Sequence, residues 1–154
     1  MDKDVIISLR GSQSTGNGTS NTLELITEGK YYKRNNAYYI TYDESEVTGM
    51  EGTTTTVKVE DGVVTFMREG AVNSQFVFQK GHKHISYYDT IHGAFTVGVL
   101  ANDVNINVND YGGEISVGYH IEVNNETDYN DFYMSIKEVG YPGEKYRGRN
   151  ENKY

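Results

Sequence analysis

The feature that most constrains the fold is an alternation of apolar and polar residues through nearly the whole chain. In the segment Asn102–Asp110, for example, Val104, Ile106 and Val108 alternate with polar side chains. No segment shows the period of a helix over a helix length. Because successive side chains on a strand point to opposite faces, this pattern predicts half-buried β-strands and no helix.

Short polar dipeptides separate the predicted strands. They occur at Asn35-Asn36, Asp61-Gly62, Glu69-Gly70, Lys80-Gly81, Asn102-Asp103, Gly112-Gly113 and Asn124-Asn125. Such residues accept the positive φ that tight hairpin turns require. Two-residue links join antiparallel neighbours, and a long meander removes its exposed edges by closing on itself. The sequence therefore predicts an all-β fold, an antiparallel up-and-down β-barrel of about eight to ten strands.

Two segments lie outside the alternating pattern. Gly11–Asn21 is polar and rich in glycine, which predicts a mobile loop between the first two strands. Gly140–Tyr154 contains the single proline and no apolar run, which predicts a disordered tail. We therefore expect one β-barrel domain over residues 1–139 and a tail over residues 140–154. The total of 154 residues fits one domain.

Charge and composition exclude several classes of partner. The net charge is −8 and the isoelectric point about 4.9, which argues against a nucleic-acid partner. No apolar run approaches the ~20 residues of a membrane span, and the first residues carry acids where a secretion signal needs basic residues. The absence of cysteine excludes disulfides and thiol nucleophiles. We expect a cytoplasmic protein with no membrane partner and no cofactor; the sequence leaves its oligomeric state open.

Familiar catalytic motifs are missing from the sequence. There is no Gly-x-Ser-x-Gly elbow. Gly29-Lys30 lacks the upstream glycine of a P-loop, because Glu24 occupies that place. The chain has 22 acidic residues, but no spacing singles out a catalytic pair. The sequence leaves the question of enzymatic activity open and favours a protein that is not an enzyme.

Three of the four histidines lie in one predicted hairpin, at His82, His84 and His92. Residues two apart on a strand share a face at a spacing of about 7 Å, so His82 and His84 could bind a metal ion with help from His92. The alternative is that Ile85 and Tyr87 of the same strand fill the barrel interior. We expect the alternative, with His82 and His84 on the outside and no metal.

Aromatic residues on the predicted inner faces make a small-molecule site the leading hypothesis. The chain has 14 tyrosines, and aromatic walls with a few polar groups are typical of small-molecule sites. The candidate lumen residues are Tyr38, Tyr42, Phe76, Phe78, Tyr87 and Phe95. We therefore expect a barrel that binds a small, partly apolar ligand in its lumen or mouth.

Two other functions stay open from the sequence. A hydrolase or isomerase would use His84 as its base together with a carboxylate, with or without a metal, because histidine titrates near neutral pH. A protein-interaction module would present exposed tyrosines such as Tyr39, Tyr88 and Tyr133. The positions of the histidines in the fold distinguish the enzyme from the binding protein.

Much of the chain resembles a known family. The resemblance is carried by Tyr42-Asp-Glu-Ser, Gly49-Met-Glu-Gly-Thr-Thr-Thr-Thr, His84-Ile-Ser-Tyr-Tyr, Asn107-Val-Asn-Asp-Tyr-Gly-Gly-Glu-Ile and the strand Val5–Gly11. These segments are similar to the YwiB-like family of small, uncharacterised bacterial β-barrel proteins, which is associated with the calycin-like barrels that include the lipocalins. The resemblance spans residues 3–139. It implies a closed or nearly closed barrel in the cytoplasm of a low-GC Gram-positive bacterium, and it implies no activity and no site residues.

Overall fold

The structure, a computed structural model, describes residues 2–14 and 20–140. It contains ten strands: β1 (Lys3–Ser14), β2 (Ser20–Arg34), β3 (Ala37–Asp43), β4 (Thr53–Glu60), β5 (Val63–Gly70), β6 (Asn73–Phe78), β7 (Lys83–Thr90), β8 (Gly93–Asn109), β9 (Gly112–Val123) and β10 (Glu126–Glu138). Each strand pairs with its neighbours in the chain, and β10 pairs with β1, which closes the barrel. The predicted antiparallel up-and-down barrel is confirmed.

The predicted turn dipeptides lie between strands or at strand ends, except Asn102-Asp103. That pair lies inside β8, where the register shifts between Ala101 and Asp103, so the prediction of a turn there is wrong. Asn35 and Asn36 link β2 to β3, and Asp61 and Gly62 link β4 to β5; all four residues have positive φ. This conformation costs little for Gly and is tolerated best by Asn and Asp among the other residues. The turns fix the register between strands, and the register decides which face each side chain occupies.

The barrel interior is filled over most of its length by apolar side chains at alternate positions of the strands. Ile40 on β3 and Ile115 on β9, for example, are fully buried. Other buried residues of this core are Val5, Ile7, Tyr31, Val57, Val64, Phe78, Val99, Val117, Met134 and Ile136. The lumen is therefore a packed core and not a channel, as in other small barrels.

The turn between β8 and β9 closes one end of the barrel, which we call the closed end. The Tyr31 hydroxyl donates to the Asn109 carbonyl oxygen at 2.6 Å. The Tyr38 hydroxyl donates to an Asp110 carboxylate oxygen at 2.6 Å, and Lys3 Nζ donates to the Asp110 carbonyl oxygen at 2.6 Å. These bonds tie the β8–β9 turn to β1, β2 and β3 across this end of the barrel.

Glycine is required where β9 leaves this turn. Gly113 has a φ of +144°, and a Cβ there would lie 2.0 Å from the Asn107 carbonyl oxygen. No side chain fits at that distance. The Gly112-Gly113 pair, predicted as a turn, instead begins β9 after a turn at Asp110 and Tyr111, and it allows close packing of the two strand backbones.

The strands β1 and β2 extend further than the sequence indicated. β1 continues to Ser14 and β2 begins at Ser20, and Gly11 pairs with Leu23 in the ladder between them. The flanks of the predicted loop Gly11–Asn21 are therefore strand, and the prediction of a loop there is wrong. Residues 15–19 and the predicted tail from residue 141 onward lie outside the described residues.

Strand β7 presents the opposite face to the interior from the one predicted. Ser86 is buried, whereas Ile85 and Tyr87 are 64% and 71% exposed. The prediction that Ile85 and Tyr87 fill the interior is wrong. The physical reason is that Val97 of β8, opposite Ser86, and Phe76 of β6 are themselves buried there. A small residue on β7 is enough to complete the packing.

Candidate ligand-binding site

A cavity of about 390 Å³ lies at the end of the barrel opposite the closed end, and we call it the mouth cavity. It is lined by residues of β1, β2, β5, β6, β9 and β10 and opens to solvent. Gly11 is one reason for the space, because it occupies an inward position of β1 between Phe132 and Leu23 and has no side chain. The volume lies within the ~300–1,000 Å³ of typical small-molecule sites.

Five aromatic rings line the inner part of the mouth cavity, and we call them the aromatic floor. They are Phe66, Phe76, Phe78, Tyr119 and Phe132. The Phe66 and Phe132 rings meet edge to face with centroids 4.9 Å apart, and the Phe78 and Tyr119 centroids are 4.6 Å apart. Edge-to-face packing of this kind holds rings in place. The floor therefore offers a preformed apolar surface.

A cluster of polar side chains adjoins the aromatic floor, and we call Tyr42, Glu44, Thr55 and Arg68 the polar cluster. The register places Tyr42 of β3 opposite Thr55 of β4, and Thr55 opposite Arg68 of β5. Arg68 Nε lies 3.7 Å from Glu44 Oε2, and the Thr55 hydroxyl donates to the same Glu44 oxygen at 2.5 Å. The Glu44 side chain is 1% exposed and that of Arg68 15% exposed. The cluster is thus a buried ion pair at the cavity wall.

Several polar atoms at this end of the barrel have no hydrogen-bond partner among the described residues. They are the Tyr42 hydroxyl, Glu44 Oε1, Arg68 Nε and Asn130 Nδ2, all of them buried. Buried polar groups are nearly always paired with protein or with water. Of the four residues, Arg68 and Asn130 line the mouth cavity. Because Arg68 Nε faces Glu44, it is the Asn130 amide that gives the cavity an unpaired polar group, which a ligand or ordered water would satisfy.

Burial keeps the tyrosine hydroxyls of this region protonated. It raises the pKa of Tyr119 to about 12. Burial, assisted by the Glu44 carboxylate, also raises the pKa of Tyr42 well above its ordinary value. Both effects follow because an apolar environment disfavours the charged phenolate. Both hydroxyls are therefore hydrogen-bond donors at neutral pH.

Three of the six candidate lumen residues lie at or beside the mouth cavity. Phe76 and Phe78 line it, and Tyr42 is buried next to it in the polar cluster. Tyr38 faces inward as predicted, but its hydroxyl lies at the closed end on Asp110. Alternation along β3 and β6 predicted correctly that these four side chains face inward. It did not predict which end of the barrel each of them occupies.

The other two candidate lumen residues, Tyr87 and Phe95, do not lie in the lumen. They are 71% and 46% exposed. Tyr87 is on the outer face of β7. Residues 93–96 at the start of β8 are all exposed, so the β7–β8 hairpin extends beyond the barrel wall and Phe95 has no interior to enter. The prediction of these two residues as lumen residues is wrong.

The histidines do not form a site. His82 and His92 are exposed, whereas His84 is half-buried on the inner face, and its Nε2 lies 3.2 Å from Gln79 Oε1. The predicted outward position of His84 is therefore wrong, because it stands opposite buried Val99. Within the residues that the structure describes, no three His, Asp or Glu side chains are grouped to hold a metal ion.

The tyrosines considered for a protein-contact patch lie apart. Tyr39, Tyr88 and Tyr133 belong to β3, β7 and β10, no two of which are neighbours in the sheet. Tyr39 stacks on Tyr32, with ring centroids 5.2 Å apart, and Tyr133 lies below the Arg10 guanidinium. All three candidates are half-buried, so the prediction that they are exposed is wrong.

Sequence comparison identifies the family of this barrel. The model of the domain of unknown function DUF1934 matches residues 7–136. The chain belongs to the DUF1934 family. This DUF1934 chain is 30% identical over 112 residues to the uncharacterised β-barrel protein YwiB of Bacillus subtilis (strain 168), a match that covers 73% of this chain and 78% of YwiB. The predicted relation to the YwiB-like family is confirmed.

A solved structure shows the same fold. The crystal structure of YwiB from Bacillus subtilis matches this DUF1934 chain with a TM-score of 0.76 at 23% identity, over 87% of this chain and 92% of that one. The family description and the name of YwiB assign no activity to either protein. Within the described residues, no helix has the length and apolar character of a membrane span.

Proposed function

We propose that this protein binds a small, partly apolar molecule in the mouth cavity. The observation that carries the proposal is a cavity of about 390 Å³ that combines the aromatic floor with a few polar groups on its wall. Ligand sites typically have this composition, because apolar walls supply most of the binding free energy and polar groups fix the orientation. Tyr119 and Asn130 supply such groups on β9 and β10.

The packing of the rest of the lumen supports a ligand at this end. Between the closed end and the aromatic floor, side chains such as Ile7, Ile40 and Met134 are fully buried and fill the interior. An unfilled apolar cavity lowers the stability of a core. A partly apolar ligand in the mouth cavity would supply the van der Waals contacts that the unfilled cavity lacks.

The side chains around the mouth cavity favour binding over catalysis. A general base must reach the substrate and be able to accept a proton. Arg68 and Tyr119 line the cavity. Arginine offers only hydrogen-bond donors, and burial raises the pKa of Tyr119 to about 12, so that its hydroxyl keeps its proton at neutral pH. Asp131 lies at the rim, where its carboxylate accepts a hydrogen bond from Ser12 at 2.6 Å. His84, the candidate base, is not part of the lining.

The composition supports a cytoplasmic location for this binding. The chain contains no cysteine, which is compatible with a reducing compartment. Its net charge of −8 supports a small-molecule ligand over a nucleic acid, because nucleic-acid affinity depends on basic side chains.

Replacement of Gly11 by Phe tests the proposal. A Cβ at residue 11 has space, because its nearest neighbour is the Asp131 carbonyl oxygen at 3.6 Å. The added ring would project inward between Phe132 and Leu23 and fill the cavity. We expect the hydrophobic fluorophore phenylnaphthylamine to bind the wild-type protein saturably, and to bind Gly11→Phe at least about tenfold more weakly.

The control for this experiment is Gly11→Ala, which adds a methyl group and leaves most of the cavity free. We expect its affinity for phenylnaphthylamine to stay within about threefold of the wild-type value. Far-ultraviolet circular dichroism checks that both variants keep the barrel. Equal affinity of Gly11→Phe and wild type contradicts the proposal. So does a wild-type protein that binds no fluorophore and shows no thermal shift with any member of a library of metabolites and lipids.

A further inference from the structure

We infer that the mouth cavity selects ligands with a single acidic group, and that Arg68 binds this group; the inference rests on the proposed function. Arg68 is the one Lys or Arg among the described residues that line the cavity. A guanidinium offers five hydrogen-bond donors in a planar fork, which matches the geometry of a carboxylate or sulfonate. A cation of this kind at the wall of an apolar site defines the ligand as an acid with a partly apolar body.

The contacts of Arg68 leave part of its guanidinium for a ligand. Its Nε faces Glu44 at 3.7 Å, and its Cζ lies 5.5 Å from the centre of the Phe66 ring. No side chain among the described residues accepts a hydrogen bond from its two terminal nitrogens. These two nitrogens can donate in parallel to the two oxygens of an acid, which is the strongest arrangement for such a pair.

Arg68 is also held in place before a ligand arrives. The Thr55 hydroxyl donates to Glu44 at 2.5 Å, and Glu44 in turn pairs with Arg68. The Phe66 ring of the aromatic floor lies against the guanidinium. Because the side chain is already ordered, binding an acid costs less rotamer entropy than it would with a free surface cation.

The charges around the cavity set the number of acidic groups at one. Arg68 is the one cation of the described lining, and its two terminal nitrogens together serve a single acidic group. The carboxylates near the rim already have partners. Asp131 accepts a hydrogen bond from Ser12 at 2.6 Å, and Asp128 accepts one from Gln13 at 3.2 Å. A second negative charge on the ligand would find no further cation in the described lining, and it would pay a desolvation cost without a partner.

Two fluorophores with the same aromatic rings separate acid recognition from apolar binding. Anilinonaphthalenesulfonate carries one sulfonate, and phenylnaphthylamine is the same molecule without it. We expect Arg68→Met to weaken binding of the sulfonate by about tenfold or more and binding of the neutral probe by less than about threefold. The matched control is Arg10→Met, which removes an arginine beside Tyr133 on the outer face of the barrel and should change neither affinity.

Arg68→Met leaves Glu44 buried without a counterion, so the double variant Glu44→Met/Arg68→Met serves as a second test of the same selectivity. In either variant, a ratio of the two affinities that falls about tenfold from wild type supports the inference. A ratio equal to that of wild type in a folded variant overturns the inference and leaves the proposed function standing. If the wild-type protein binds neither probe saturably, the result overturns the proposed function itself.

Discussion

Replacement of Glu44 by Met is expected to lower the free energy of unfolding by about 3 kcal/mol. The substitution keeps the length of the side chain but removes the counterion of Arg68. The Arg68 side chain is only 15% exposed and cannot regain full hydration in the folded protein. A charge that stays buried after its partner is removed destabilises the folded state strongly. The Thr55 hydroxyl also loses its acceptor.

A double variant and a surface control separate this effect from a general loss of packing. Glu44→Met/Arg68→Met replaces both charges by apolar side chains, and we expect it to recover most of the lost stability. Glu122→Met breaks the surface pair with Lys83, where both side chains are about half exposed, and should cost no more than about 1 kcal/mol. Urea denaturation measures all three variants. Equal losses for Glu44→Met and Glu122→Met would show that the polar cluster is not a buried ion pair.

Replacement of Phe78 by Ala is expected to cost about 3–5 kcal/mol of stability. The Phe78 ring is 2% exposed and lies within the aromatic floor. Its centroid lies 5.8 Å from that of Phe66, 5.7 Å from that of Phe132 and 4.6 Å from that of Tyr119. Loss of the ring removes buried apolar surface and leaves the neighbouring rings without support.

Phe95→Ala is the matched control, because it removes the same ring from a position that is 46% exposed. We expect a loss of less than about 1 kcal/mol for that variant. Urea denaturation again gives the comparison. If Phe95→Ala costs as much as Phe78→Ala, the assignment of Phe78 to the core and of Phe95 to the surface is contradicted.

The sequence was sufficient to predict the barrel because its determinants are local. Alternation shows directly that a segment is a half-buried strand, and residues such as Asn35 and Asp61 mark turns through their tolerance of positive φ. Alternation does not by itself tell which of two faces is inside. On β7 that choice depended on the neighbouring strands, and for Ile85 and Tyr87 the bulk of the side chains indicated the wrong face.

The candidate site was predicted only in part because it depends on register between strands. Phe76 and Phe78 could be identified from their own strand. The inward position of Arg68 could also have been found, since it continues the alternation of Val64 and Phe66. No local sequence pattern predicts the ion pair between Glu44 and Arg68, because the two side chains meet only when β3, β4 and β5 lie side by side.

The five phenylalanines of the chain allow the most direct test of ligand binding inside the barrel. Phe66, Phe76, Phe78 and Phe132 line the mouth cavity, whereas Phe95 is on the surface. In protein labelled with fluorophenylalanine, we expect saturating phenylnaphthylamine to shift the fluorine NMR signals of the four cavity residues and to leave that of Phe95 unchanged. A shift of the Phe95 signal alone at saturation, with the four cavity signals unmoved, would contradict binding in the barrel.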